Sequence, residues 1–378
     1  MNKKWLVVST GFALFSMFFG SGNLVFPITV GQESEGHYLL ATLGILLTGV
    51  FVPFLGVFGM MLYQGSVKDF FSSFGKKGVF LFSFLALALM GPFGVLARCL
   101  TVAHGALLLL FPNVSLPVAS LLMCVIIFLL AVNKNKIVPV LGTVLTPFLL
   151  VSIAVIAYFG LNQGTISIGA GSPGWDALKN GFFQGYQTMD LLAAFFFSQF
   201  IIKHLSSKTV EYEASSTLKI FCKAAGMGAV ILSSVYFALV LLGWIYSPLL
   251  QQQPPQEMLG LIAMESLGPM AAPCVCLAVV FACLTTAIVL ASLFADFLRK
   301  EVTQGKIGNP IALLITLLIG FSVSTLEFGG IAKFLGPLLE MIYPALITLT
   351  VVNILSKFLK FESSHWPFTL TIVAKLCT

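Results

Sequence analysis

Charge is scarce in this sequence. Asp, Glu, Lys and Arg make up 9% of the 378 residues, 58% are hydrophobic, and mean hydropathy is +1.02. No water-soluble fold covers that much apolar surface with so few charges, so the chain reads as an all-α polytopic membrane protein. Histidine is also rare, with four residues and no zinc-type His/Glu motif. Neither a Gly-x-Ser-x-Gly elbow nor a Gly-x-x-x-x-Gly-Lys-Ser/Thr loop occurs, which removes the usual signatures of hydrolases and ATP-driven machines. The seven cysteines (99, 124, 222, 274, 276, 283 and 377) fall mostly in apolar runs and read as packing thiols. Cys274-Val-Cys276 lacks the nearby His partners a metal site needs, so no metal or cofactor is expected. The net charge of +6 is no argument for nucleic acid; in a membrane chain what matters is where the positives lie. The first apolar run is too long for a signal peptide and has no clean small-residue cleavage site.

Apolar segments run over Trp5–Val30, Leu39–Tyr63, Val79–Phe111, Ser115–Val132, Ile137–Phe159, Asn180–Ile202, Phe221–Tyr246, Pro269–Phe297, Ile307–Val323, Phe334–Leu355 and Trp366–Cys377. About 20 apolar residues cross the hydrocarbon core. This predicts ten full spans and a short eleventh, with the third and eighth long enough to tilt. If the N-terminus is cytoplasmic, the inner segments carry 16 of the 20 Lys and Arg, including Lys3, Lys4, Lys68, Lys76, Lys77, Lys134, Lys136, Lys219, Lys223, Arg299 and Lys300. The outer segments Gly31–Tyr38, Gly160–Asp176 and Ser247–Gly268 carry none. That bias supports both the orientation and the count. The Lys76-Lys77 and Lys134–Lys136 clusters read as topology signals, with lipid headgroups as a lesser partner.

The first span is interrupted in its middle. Gly20-Ser21-Gly22-Asn23 and Pro27 are poor helix residues at membrane depth, where freed backbone groups must face protein, water or a ligand. Five spans precede Asn180, so the sixth enters from the opposite side. Helices six to ten can then repeat helices one to five upside down. The sixth carries its own interruption, Gly181-Phe182-Phe183-Gln184-Gly185-Tyr186-Gln187-Thr188-Met189-Asp190. Two interrupted helices at matching positions point to a midplane binding site in a transporter, rather than to a membrane enzyme or an ion channel. The chain reads as one domain, with repeats over 5–160 and 178–355 and a peripheral, shortened segment over 356–378 that the core does not require.

Four stretches resemble the signatures of the branched-chain amino acid:cation symporters, the BrnQ-type carriers. They are Gly22-Asn23-Leu24-Val25-Phe26-Pro27; Gly91-Pro92 with Arg98 and Thr101-Val102-Ala103; Gly185-Tyr186-Gln187-Thr188-Met189-Asp190; and Ala282-Cys283-Leu284-Thr285-Thr286-Ala287. The resemblance covers about Trp5 to Phe358. It departs at Ala97, where the family has proline, at His104, and in ending within an eleventh helix where the family has twelve. It implies a LeuT-like bundle of five plus five inverted helices with discontinuous helices one and six. It also implies symport of leucine, isoleucine and valine with Na⁺ or H⁺ across a bacterial inner membrane, without a cofactor.

The residues suit that chemistry. Ser21, Gly22, Asn23 and Leu24 stand at the start of a half-helix, whose free N–H groups and positive end favour a carboxylate. Gly185, Tyr186, Gln187 and Thr188 offer carbonyls and side chains to an ammonium. Ala282, Thr285 and Thr286 lie at i, i+3 and i+4 on one flank, an uncharged oxygen set suited to a monovalent cation. The LeuT-like resemblance adds carbonyls near Ser16 and Phe19; the alternative is that the threonines bond back along their own helix. Asp190 reads as the partner of a cation or proton, or as an acid tied to freed backbone groups. Arg98 and Glu340 read as members of structural or gating ion pairs, His104 as a hydrogen-bonded histidine, and Asp296 as the interfacial partner of Arg299.

Overall fold

The computed structural model describes residues 3–132, 138–163, 174–208, 214–359 and 366–377. Every apolar segment contains helix, and no strand occurs among the described residues. The helices are α1 (Lys3–Phe18), α2 (Ser21–Gln32), α3 (Tyr38–Leu62), α4 (Gly75–Met90), α5 (Val95–Leu107), α6 (Leu116–Val132), α7 (Val138–Gln163), α8 (Gly174–Gln187), α9 (Asp190–Lys208) and α10 (Ala214–Ile245). The remainder are α11 (Met258–Leu267), α12 (Ala272–Phe297), α13 (Asn309–Ser324), α14 (Glu327–Leu359) and α15 (Trp366–Cys377). By length and hydropathy alone, five stretches among the described residues can cross a membrane: Tyr38–Leu62, Ser72–Leu107, Thr217–Ile245, Pro269–Val302 and Glu327–Leu359. The bent pair α1 and α2 makes a sixth, at 73°. Apolar side chains such as Leu121, Leu122, Leu129, Val230 and Leu318 stand exposed around the outside, where lipid rather than water can cover them. The Lys134–Lys136 cluster and most of the Gly160–Asp176 loop lie outside the described residues.

The packing has an exchange symmetry. Both halves of the first span, α1 and α2, pack along α10, and both halves of the sixth, α8 and α9, pack along α3. Helix α12 packs on α5, and α13 on α6. Without a hydrophobic force between helices in lipid, such contacts depend on small residues that let backbones approach. A Cβ at Gly31 would overlap the Val240 carbonyl oxygen, and one at Gly243 the Ile28 carbonyl oxygen, where α2 crosses α10. Gly44 and Gly181 do the same across α3 and α8, against Leu178 and Ala41. Beside that crossing, α3 contains a π-turn over Leu47–Phe51, from which Thr48 Oγ1 donates to the Phe182 carbonyl at 2.7 Å.

Three expectations are corrected. The first break is narrower than the Gly20–Pro27 stretch, lying only at Phe19–Gly20. Helix α2 starts at Ser21 rather than near Asn23 and runs through Pro27, which forfeits one backbone bond and stays in register. The third span is not one tilted helix. Helical bonding stops at Met90 and resumes at Val95, because Pro92 cannot donate and a Cβ at Gly94 would overlap the Leu89 carbonyl oxygen. The segment Ser247–Gly268 is more than a loop, since it folds α11 against α7.

Candidate functional site

The three interruptions meet. At the first, Gly20 N–H donates to Asn23 Oδ1 at 3.0 Å, so a side chain caps the start of α2. At the sixth span, α8 ends at Gln187 and α9 begins at Asp190. Between them Thr188 Oγ1 donates to the Gly185 carbonyl at 2.9 Å, and Met189 adopts φ +59°, the left-handed region that a non-glycine residue enters at a cost. A cavity of about 30 Å³ opens where they converge. Its wall includes Gly20, Gly22, Asn23, Arg98, Thr188, Asp190 and Thr286, with Met90 and Val95 flanking the third break. The volume suits a water or two.

Asp190 ties two breaks together. It is 3% exposed and opens α9, where the helix dipole favours a carboxylate. Asn23 Nδ2 donates to Asp190 Oδ2 at 2.7 Å, and the Tyr236 hydroxyl of α10 donates to the same oxygen at 3.4 Å. Asn23 Nδ2 also reaches the Tyr236 oxygen at 2.5 Å. The Asn23 side chain is therefore fully engaged. Sequence reasoning missed Tyr236, a lone tyrosine in an apolar run whose role comes only from what α10 packs against.

Arg98, 1% exposed on α5, does not form the expected ion pair with any of the described residues. Nη1 and Nη2 donate to the Gln187 carbonyl and Oε1, each at 2.6 Å, so the guanidinium caps the C-terminal end of α8. The rings of Phe26 and Phe328 lie 5.0 and 5.5 Å from its Cζ. Glu340 also has no ion pair among the described residues. His104 Nε2 bonds the Val114 carbonyl at 2.9 Å, as a structural histidine does, and Arg299 meets Asp296 at 3.7 Å.

Of the residues read as substrate-binding, Gly22, Asn23 and Thr188 line the cavity. Ser21 is beside it, its Oγ accepting from Cys99 Sγ at 3.3 Å, and Leu24 is buried core. Gln187 is taken by Arg98 and donates to the Ala332 carbonyl at 3.3 Å. Tyr186 packs on Tyr343, with ring centroids 4.8 Å apart. Gly185 lies within α8 rather than at its unwound end, and a Cβ there would overlap Thr48 Oγ1. Its small size thus serves helix packing, not space for substrate. Of the cation candidates, Thr286 and Asp190 line the cavity. Thr285 Oγ1 bonds back to the Ala282 carbonyl at 3.0 Å, and Ser16 Oγ to the Ala13 carbonyl at 3.1 Å. Phe19 stacks on Phe15.

The profile of the branched-chain amino acid transport protein family matches residues 2–378. The chain belongs to that family. A candidate branched-chain amino acid carrier protein of Staphylococcus epidermidis is 26% identical over 403 residues, covering 99% of this chain and 87% of the relative. A counterpart from Staphylococcus aureus is 26% identical over 395 residues with the same coverage. Among solved structures, the fold resembles MhsT in complex with L-phenylalanine, with TM-score 0.62, 16% identity, and 96% and 94% of the two chains covered. It also resembles the inward-facing conformation of Mhp1, with TM-score 0.57, 14% identity, and 92% and 76% covered. The branched-chain amino acid transport protein family is one of carriers, not enzymes, and the bundle is LeuT-like. This member is an integral membrane protein of amino-acid transport.

Proposed function

We propose that the protein imports leucine, isoleucine and valine by symport with Na⁺ or H⁺ across the cytoplasmic membrane of a bacterium, its N-terminus inside. The repeats 5–160 and 178–355 form its inverted halves, with 356–378 at the periphery. One observation carries the reading: the broken first and sixth spans meet at a buried cavity, joined by Asn23 and Asp190, with no lysine or arginine among the described residues paired to the carboxylate. A carboxylate in that position takes a cation from the gradient, whether Na⁺ or a proton. The start of α2 receives the substrate's carboxylate, and apolar walls receive its side chain. Such walls separate the three substrates by only about 1–3 kcal/mol per methylene, so they compete. Leucine counterflow in proteoliposomes tests the reading, with imposed Na⁺ and pH gradients in parallel. A carrier exchanges labelled leucine; a channel or an enzyme does not.

The two threonines of α12 now have separate expectations. Thr286 faces Gly20 and the cavity, whereas the Thr285 hydroxyl is spent on its own helix. Under Na⁺ coupling, Thr286→Val raises the Na⁺ concentration for half-maximal uptake about five- to a hundred-fold, the loss of one ligand at low dielectric. Thr285→Val leaves it within about twofold. Uptake titrated against Na⁺ at saturating leucine separates them, and equal shifts would place both hydroxyls in the cation shell. If uptake ignores Na⁺ and follows pH, both threonines lose the role and Asp190 carries the proton.

A further inference from the structure

We propose that Arg98 reads the carboxylate of the transported amino acid through its Nε–H. One N–H of Nη1 and one of Nη2 hold Gln187, both at 2.6 Å. Phe26 and Phe328 lie near its Cζ, one from α2 and one from α14. The donor on Nε is buried and has no hydrogen-bond partner among the described residues. Buried donors on charged groups are rarely left so, because the desolvation is uncompensated.

Arg98 forms part of the same cavity wall as Asp190, yet the two do not pair. One small cavity thus has a guanidinium and a carboxyl group in its wall that are not paired with each other. An α-amino acid zwitterion matches that polarity. The group that Arg98 can accept at Nε is a compact monoanion with in-plane acceptors, because Nε carries a single N–H and the cavity is small. The first N–H groups of α2, at Ser21 and Gly22, have no carbonyl within that helix to bond, and Gly22 lies in the same wall. Lysine could not replace Arg98 here: a point-like ammonium cannot hold both Gln187 acceptors in plane and still present a third donor. Gripping Gln187 and the substrate together would also let the bound carboxylate draw α5, α8 and the start of α2 toward one another.

This inference rests on the amino-acid carrier reading and is tested beyond it. The measurement is inhibition of labelled-leucine counterflow by unlabelled leucine and by leucinol, which keeps the ammonium and side chain but has no carboxylate. In the wild type, leucine should outcompete leucinol strongly. In Arg98→Gln and Arg98→Lys that preference should fall about 10- to 100-fold, mostly through weaker leucine. A purely structural clamp would weaken both ligands alike and keep the ratio. Gln187→Met removes the side-chain acceptor of Nη2 and leaves the backbone carbonyl on Nη1 and the Nε–H in place, so it should keep the preference for leucine even if exchange slows. Should Arg98→Gln fail to assemble, Arg98→Lys keeps the charge and gives the same readout. An unchanged leucine-to-leucinol ratio in an exchanging Arg98 variant overturns the role of Arg98 alone. Absence of leucine exchange by the wild type overturns it together with the carrier reading.

Discussion

Asp190→Asn is expected to abolish concentrative leucine uptake while the protein still inserts, assembles and exchanges leucine at equal concentrations across the membrane. The substitution keeps the shape and an acceptor oxygen, so Asn23 and Tyr236, now at 2.7 and 3.4 Å from the carboxylate, keep a partner. What disappears is charge. With Arg98 positive and Asp190 negative, the empty cavity is neutral overall, and a zwitterionic substrate leaves it so. The coupling cation then adds one positive charge, which the membrane potential drives inward at about 2.3 kcal/mol per 100 mV. In Asp190→Asn the empty cavity already holds an uncompensated guanidinium, and an arriving cation meets only repulsion. Removing one member of a buried charge set costs about 3–5 kcal/mol, which corresponds to more than about a hundredfold in cation affinity. Uptake under a Na⁺ or pH gradient, set beside counterflow with no gradient, measures the two functions separately. Wild-type accumulation by Asp190→Asn would take the coupling role away from this residue.

The two principal breaks were legible because Gly, Asn and acidic residues stand out inside apolar runs that have no other reason to hold them. Their positions were less legible, because the same residue types serve a second purpose. Gly181 and Gly185 marked the sixth span as irregular, yet they lie in regular helix and let α8 approach α3, while the chain leaves the helix at Thr188 and Met189. A methionine at positive φ has no signature in sequence; the surrounding packing imposes it. Gly91-Pro92 and Gly94 carry the signal of the third break, which run length alone reads as tilt. Thr285 and Thr286 show the limit of helical spacing. It places both on one flank without telling which hydroxyl faces the first span and which turns back to Ala282. Tyr236 and the unpaired Nε of Arg98 become visible only when distant helices are brought together.

The glycines on the helix crossings should dominate stability in a way that composition would not suggest. Gly181→Ala is expected to lower the yield of assembled protein sharply and to eliminate uptake, whereas Gly226→Ala should do neither. Both place one methyl group on a helix. At Gly181 that methyl overlaps the Ala41 carbonyl oxygen and lies 3.1 Å from Ile45 N, so its obstacles are backbone atoms that no rotamer change can clear. The helices must part instead, and the reciprocal contact of Gly44 on Leu178 parts with them. Overpacking of this kind typically costs about 1–3 kcal/mol and occasionally more, the larger values being expected where backbone must move. The lost approach also pulls Thr48 from the Phe182 carbonyl and shifts the end of α8, where Arg98 grips Gln187. At Gly226 nothing lies within 4 Å of the added methyl, and alanine is the better helix former by up to about 1 kcal/mol. Thermal melting of detergent-purified variants by size-exclusion chromatography, paired with leucine uptake, makes the comparison. A Gly181→Ala protein that melts and transports like the wild type would mean that α3 and α8 tolerate separation, and that the cavity does not depend on how closely they cross.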